Sequence, residues 1–227
     1  FGGRMKKIIV VLVTLLILAV SCSKDTGKSD DNKYNVFWSY FISIKDKAGN
    51  IENLSLEEQA KLLDDIKIQL SKIDSNLNAE LSGKNKELII TADGIVESFS
   101  EAQNLTDSAP KDLGWKVTAF KQRKALPFSL KFDDSFTVDT TKIFFSVKEN
   151  GEHLDIQVYF DGQEMLQEIQ KKQVIYTFLD GIIGEYDTEM YIGAIDSSSQ
   201  KDESFIKAED FLKIMDDFKN KIKSDNY

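Results

Sequence analysis

The chain has 227 residues, with 38 acidic against 29 basic side chains, a formal net charge of −9, and only one histidine and one cysteine. That balance excludes a nucleic-acid binder built on a basic stripe, because a phosphate backbone is held by clustered Lys and Arg. A single cysteine excludes a disulfide within the molecule, and a single histidine, His153, excludes a histidine-rich zinc, copper or iron centre.

At the N-terminus, Phe1 to Arg4 precede Met5 and read as upstream residues, outside any fold argument. Lys6 and Lys7 then lead into an apolar run from Ile8 to Val20 that ends in small residues and Cys22. A membrane span needs about 20 apolar residues, so this run is too short to cross. Its charged start and short apolar centre predict a signal peptide over 1–21. Leu18-Ala19-Val20-Ser21-Cys22 resembles the bacterial lipobox. The resemblance implies diacylglycerol attachment at the Cys22 thiol, cleavage just before it, and a palmitate-type acyl chain on the new amine. It implies a place in the bacterial cell envelope, lipid-anchored to a membrane whose identity and leaflet the sequence leaves open, the outer membrane with a periplasmic or surface-facing domain being the favoured expectation.

Removing 1–21 takes away Arg4, Lys6 and Lys7 and no acid, leaving 26 basic against 38 acidic residues, a net charge of −12. Adhesion to anionic lipid is disfavoured at that charge, so the acyl chains form the expected membrane link, two of them making a stable anchor. "SKDTGKSDDNK", 23–33, has no apolar residue and predicts a flexible tether over 22–33. Its Asp25, Asp30 and Asp31 faintly resemble acidic surface-sorting signals, and the competing reading is a solvated spacer. Residues 34–227 show no Pro/Gly-rich gap and no repeat, which predicts one domain.

Within that domain, Ser55 and Glu58 form a capping box before a helix with Leu56, Ala60, Leu63, Ile66, Leu70 and Ile73 on one face. "KELIITADG" predicts a strand closed by an Asp-Gly turn, and Val96, Phe99, Ala102 and Leu105 a helix ending before Pro110. "WKVTAF" alternates as a strand. "KIFFSVKENGEHLDIQVYF" predicts a hairpin, with Asn150-Gly151 supplying positive φ for a type I′ turn. A helix follows from Glu164 to about Ile182, with Ile169 and Phe178 among its apolar residues and Gly181 and Gly184 as stops. "EMYIGAI" then reads as a strand and "AEDFLKIMDDFKNKI" as an amphipathic closing helix. The sum is α+β: an antiparallel or mixed sheet covered by amphipathic helices.

Several blocks together resemble an uncharacterised family of bacterial proteins: "FWSYF" (37–41), "ITADGIVESF" (90–99), "AP…W" (109–115), "AFKQR" (119–123) and "LDGIIGEYDTEMYIGAI" (179–195). The resemblance implies one intact domain and assigns no activity.

No P-loop, G-x-S-x-G elbow, H-E-x-x-H or EF-hand spacing occurs. "DDNK" and "DSFTVDTTK" offer weak calcium ligands without the spacing that would require them, so no metal and no cofactor is expected. His153, beside the hairpin turn, reads as solvated. Paired carboxylates are the remaining route to an enzyme, and Asp180, Glu185, Asp187 and Glu189 crowd one segment. Acids near a helix C-terminus sit against its dipole unless a cation holds them. Arg123, the one arginine beyond residue 22 in a lysine-rich chain, is the candidate partner for Glu185 or Asp187. The expected function is a membrane-anchored lipoprotein with a non-enzymatic binding or interaction domain for a protein or glycan. The alternatives are a carboxylate-dependent glycan hydrolase and an acidic immunity or inhibitor-like protein.

Overall fold

In a computed structural model the structure describes residues 27–132 and 136–225. The lipobox with Cys22, the apolar run before it and residues 133–135 lie outside the described residues.

The chain begins with α1 (Gly27–Ala48), which the sequence reading did not anticipate. It takes up residues 27–33 and so corrects the flexible-tether reading there. The reason is the next stretch: Tyr34, Phe37, Trp38 and Phe41 recur at three- and four-residue spacing, all buried, and their packing carries the polar turns before them into the helix. Phe41 is wholly buried, with the rings of Phe37, Trp38 and Trp115 around it.

α2 (Leu56–Leu70) starts at the expected capping box, with the Glu58 amide donating to the Ser55 hydroxyl and the Ser55 amide to the Glu58 carboxylate. Ile66 and Leu70 of the expected face are buried and Ile73 packs against the core, but Leu62 takes the remaining buried place, while Ala60, Leu63 and Leu56, the last 83% exposed, face out. β1 (Asn78–Ser82) pairs antiparallel with β2 (Glu87–Thr91), and after α3 (Phe99–Asp107) the chain returns as β3 (Lys116–Ala119), parallel to β2. α1, α2 and α3 enclose this three-stranded mixed sheet around a first apolar core running from Tyr34 to Phe120.

A second core, from Phe136 to Phe218, belongs to the rest of the chain. A small ribbon of β4 (Ser129–Lys131) and β5 (Thr137–Asp139) precedes the hairpin of β6 (Ile143–Asn150) and β7 (His153–Phe160). Only Gly151 has positive φ in the hairpin turn, so it has the glycine-first pattern of a type II′ turn and not the expected I′ pair.

α4 spans Glu168–Ile182, a turn later than expected, and Ile169 faces out at 67% exposure. Gly181 does not stop it: the Phe128 ring packs against that glycine, where a Cβ would lie 2.5 Å from the ring. The break comes at Gly184, φ 90°, and the chain then re-enters a helix, α5 (Glu185–Tyr191). Glu189 to Tyr191 are therefore helical and correct the strand reading, which holds only for β8 (Ile192–Ser197). Acids in the first turn of α5 complement its dipole. β9 (Ile206–Lys207) and α6 (Ala208–Asp225) complete a four-stranded mixed sheet ordered β8-β7-β6-β9.

The fold is α+β, a single domain in which two apolar cores meet along one junction. Among the described residues no helix is long and apolar enough to cross a membrane. Because Phe41 has no polar atom and no exposed surface, Phe41→Ala should cost about 3–5 kcal/mol by urea unfolding. A loss below about 1 kcal/mol would mean that α1 does not hold the first core.

Candidate functional site

The junction between the cores is built from three segments: the turn after β2, the strand exit 120–124, and the α4–α5 corner. Lys121 to Lys124 run alongside the end of α4, with the Lys124 amide donating to the Gly181 carbonyl at 2.7 Å and the Glu185 amide to the Lys121 carbonyl at 3.0 Å.

Glu185 carries the contact across the two halves. Its carboxylate accepts from the Thr91 hydroxyl (2.7 Å) and from the amides of Ala92 (3.1 Å), Gly94 (3.3 Å) and Lys121 (3.0 Å). It is 1% exposed. Two residues of the first half hold left-handed backbone to aim these amides, Asp93 at φ 47° and Phe120 at φ 66°. Such conformations cost about 1–3 kcal/mol for a residue with a side chain and persist where surrounding contacts over-determine them. Tyr186 closes the contact by lying against the rings of Phe99 and Phe120.

Arg123 reaches Asp187, and not Glu185. Its Nη2 donates to Asp187 Oδ2 at 2.8 Å, its Nη1 to Asp216 Oδ1 at 2.7 Å on α6, and its Nε to the Ile183 carbonyl at 2.9 Å. Lys219 of α6 also donates to Asp187. Burial opposes the arginine's charge, but the hydrogen bonds it donates to Asp216 and Asp187 outweigh that and raise its pKa. One planar fork thus ties the strand exit, the α4–α5 corner and the last helix together.

Asp180 sits on the other side of the strand exit. Lys121 Nζ lies 3.4 Å from its Oδ2 and 3.0 Å from Asp93 Oδ1. Burial lifts the Asp180 pKa from 3.8 to about 6, with the Lys121 ammonium pulling it down and Glu185 adding to the rise. Burial opposes the Lys121 charge, yet its two carboxylate neighbours hold it protonated. Glu189 is also raised, by burial and by Glu185. These groups border an open cleft of about 770 Å³, with Asp93, Gly94 and Lys121 on one wall and Tyr176, Asp180 and Glu189 on the other.

The four acids read from the sequence therefore separate by role. Glu185 and Asp187 are enclosed structural groups, while Asp180 and Glu189 face the cleft. The sequence reading missed Thr91, Lys121, Tyr176, Asp216 and Lys219. Thr91 and Lys121 do lie inside the "ITADG" and "AFKQR" blocks, whereas the α4 pattern gives no sign that Tyr176 borders a cleft. His153 is exposed at the hairpin. Among the described residues no three His, Cys, Asp or Glu side chains are placed to hold a metal ion. Comparison with protein-family models, with curated proteins and with solved structures gives no match.

Two outcomes are expected. Asp187→Ala leaves Arg123 and Lys219 facing each other and should cost about 3 kcal/mol, with an Arg123→Ala cycle non-additive by at least about 1 kcal/mol. Additive losses would contradict the pairing. For Asp180, the folded pKa of about 6 exceeds the usual carboxylate value, so the folded state binds the extra proton between about pH 4 and 6. Its contribution to stability is then greatest below that window and is lost as pH rises through it. Asp180→Asn should remove this component from chemical denaturation series measured at stepped pH. An unchanged pH profile would show that Asp180 titrates normally.

Proposed function

We propose that this chain is a lipid-anchored bacterial envelope protein whose α+β domain binds a ligand or partner without turning it over. The observation that carries the reading is the commitment of the acidic segment to structure. Glu185 is closed in by four donors and Asp187 by Arg123 and Lys219, so neither can reach a substrate. The cleft beside them stays open and offers donors and acceptors on rigid elements, which suits recognition. The sequence supports the anchor through the short apolar run and the lipobox ending in Cys22. The recurring blocks support membership of the uncharacterised bacterial family they resemble.

One observation favours a second reading. Asp180 is raised to about 6 and Glu189 is raised beside it, both on the cleft, and a carboxyl with elevated pKa is what a glycan hydrolase needs as general acid. The two readings separate by assay. The protein should release no product from ester, peptide, phosphoester or polysaccharide panels. Polysaccharide cleavage that disappears in Asp180→Asn or Glu189→Gln would establish the hydrolase. For the anchor, expression in a bacterial host should send the protein to the detergent phase and Cys22→Ser to the aqueous phase. Equal partitioning of the two would contradict lipidation.

A further inference from the structure

We infer that the cleft between the two halves is a saccharide site, where the face of a sugar ring stacks on Tyr176 and its hydroxyls bond the charged groups around it. This rests on the binding reading above and names the class of ligand.

The composition of the walls selects that class. Ten of the described residues border the cleft, and among those ten Ile169 and Tyr176 alone carry a large apolar surface, too little to hold a lipid or a hydrophobic peptide. An anionic ligand such as a phosphate would meet Asp93, Asp180 and Glu189, while Lys121 is already held between two of those carboxylates. A simple cation would meet Lys121 and Lys172. A neutral molecule with a dense rim of hydroxyls has neither problem. The Thr177 hydroxyl already donates to the Gln173 backbone carbonyl at 2.6 Å, so each ligand hydroxyl can donate to a carboxylate, to the Gln173 side-chain oxygen or to the Thr177 oxygen, and accept from a lysine or the Gln173 side-chain NH2; hydrogen bonds to charged groups are the stronger kind.

The aromatic component lies on the cleft wall. Tyr176 is 43% exposed, on the outward side of α4 directly behind the buried Val174 and Ile175, so the ring is presented by a helix fixed in the second core. A ring with an apolar body and a polar tip suits a ligand whose own ring has C–H faces and a polar edge. Location agrees as well: the walls come from both cores, Asp93 and Gly94 from one and the α4 and α5 residues from the other, and small-molecule sites favour such boundaries. The volume of about 770 Å³ leaves room for a short oligosaccharide.

The test is titration calorimetry of the full chain in detergent with chitotriose, cellotriose, maltotriose and mannotriose, with anomeric proton NMR of each mixture. At least one trisaccharide should bind at up to about 10 mM, with Tyr176→Ala weakening it roughly tenfold and Tyr176→Phe leaving it within about twofold. Tyr176 is partly exposed, so the alanine variant should keep its circular dichroism; should it not, Glu189→Gln, which should also weaken binding, replaces it. Binding unchanged in the folded variant overturns the assignment to this cleft. No binding by any of the four overturns the saccharide inference and leaves the reading of a domain without turnover standing on the product-release panels. New reducing ends in the NMR spectrum would uphold the saccharide site while overturning binding without turnover.

Discussion

The Glu185 carboxylate is placed where almost no water reaches it, at the junction of the two halves of the molecule. A buried carboxylate costs several kcal/mol unless its oxygens are satisfied, and here one hydroxyl and three backbone amides satisfy them. All four donors come from the other half of the molecule. The arrangement also fixes its surroundings: the amides of Ala92, Gly94 and Lys121 can converge only if Asp93 and Phe120 accept left-handed backbone, and Glu185 can reach them only if Gly184 turns the chain at φ 90°. Polar satisfaction, beside the apolar contact of Tyr186 with Phe99 and Phe120, sets how the halves sit together.

From that constraint the rest of the junction follows. Once α5 starts at Glu185, Tyr186 is carried onto Phe99 and Phe120 and Asp187 onto Arg123, and one turn further on Glu189 arrives at the cleft beside Gly94. On α4, Asp180 is left near enough to Lys121 to share its ammonium with Asp93. The acidic segment is thus a structural corner on one side and a ligand-facing wall on the other. The same fold that removes Glu185 and Asp187 from chemistry leaves Asp180 and Glu189 partly buried with elevated pKa.

Much of the fold was legible because local signals and tertiary packing agreed. The capping box at Ser55, the alternation in β6 and β7 and the apolar face of α6 each state one structure, and each forms it. Where sequence and structure part, packing overrode the local pattern. α1 gains its first turns from aromatic residues downstream, and Gly181, a stop by propensity, sits inside a helix because Phe128 needs its missing side chain. In the site, the rarity of arginine pointed to Arg123 and its grip on the acidic corner. Glu185 could not be told from Asp187 in advance, because its partners are mostly backbone amides, which carry no sequence signature. Tyr176 was invisible for a similar reason: it lies off the buried stripe of α4, and only the position of the facing wall gives it a role.

Amide hydrogen exchange of Glu185→Gln against the parent chain tests the junction most directly. The neutral side chain keeps the volume but loses the charge and one acceptor, so protection should fall first at the amides of Ala92, Gly94 and Lys121, while the paired amides of β6 and β7 in the second core keep theirs. Unchanged exchange at those three amides, or a uniform loss of protection through both cores, would contradict an account in which one carboxylate holds the two halves together.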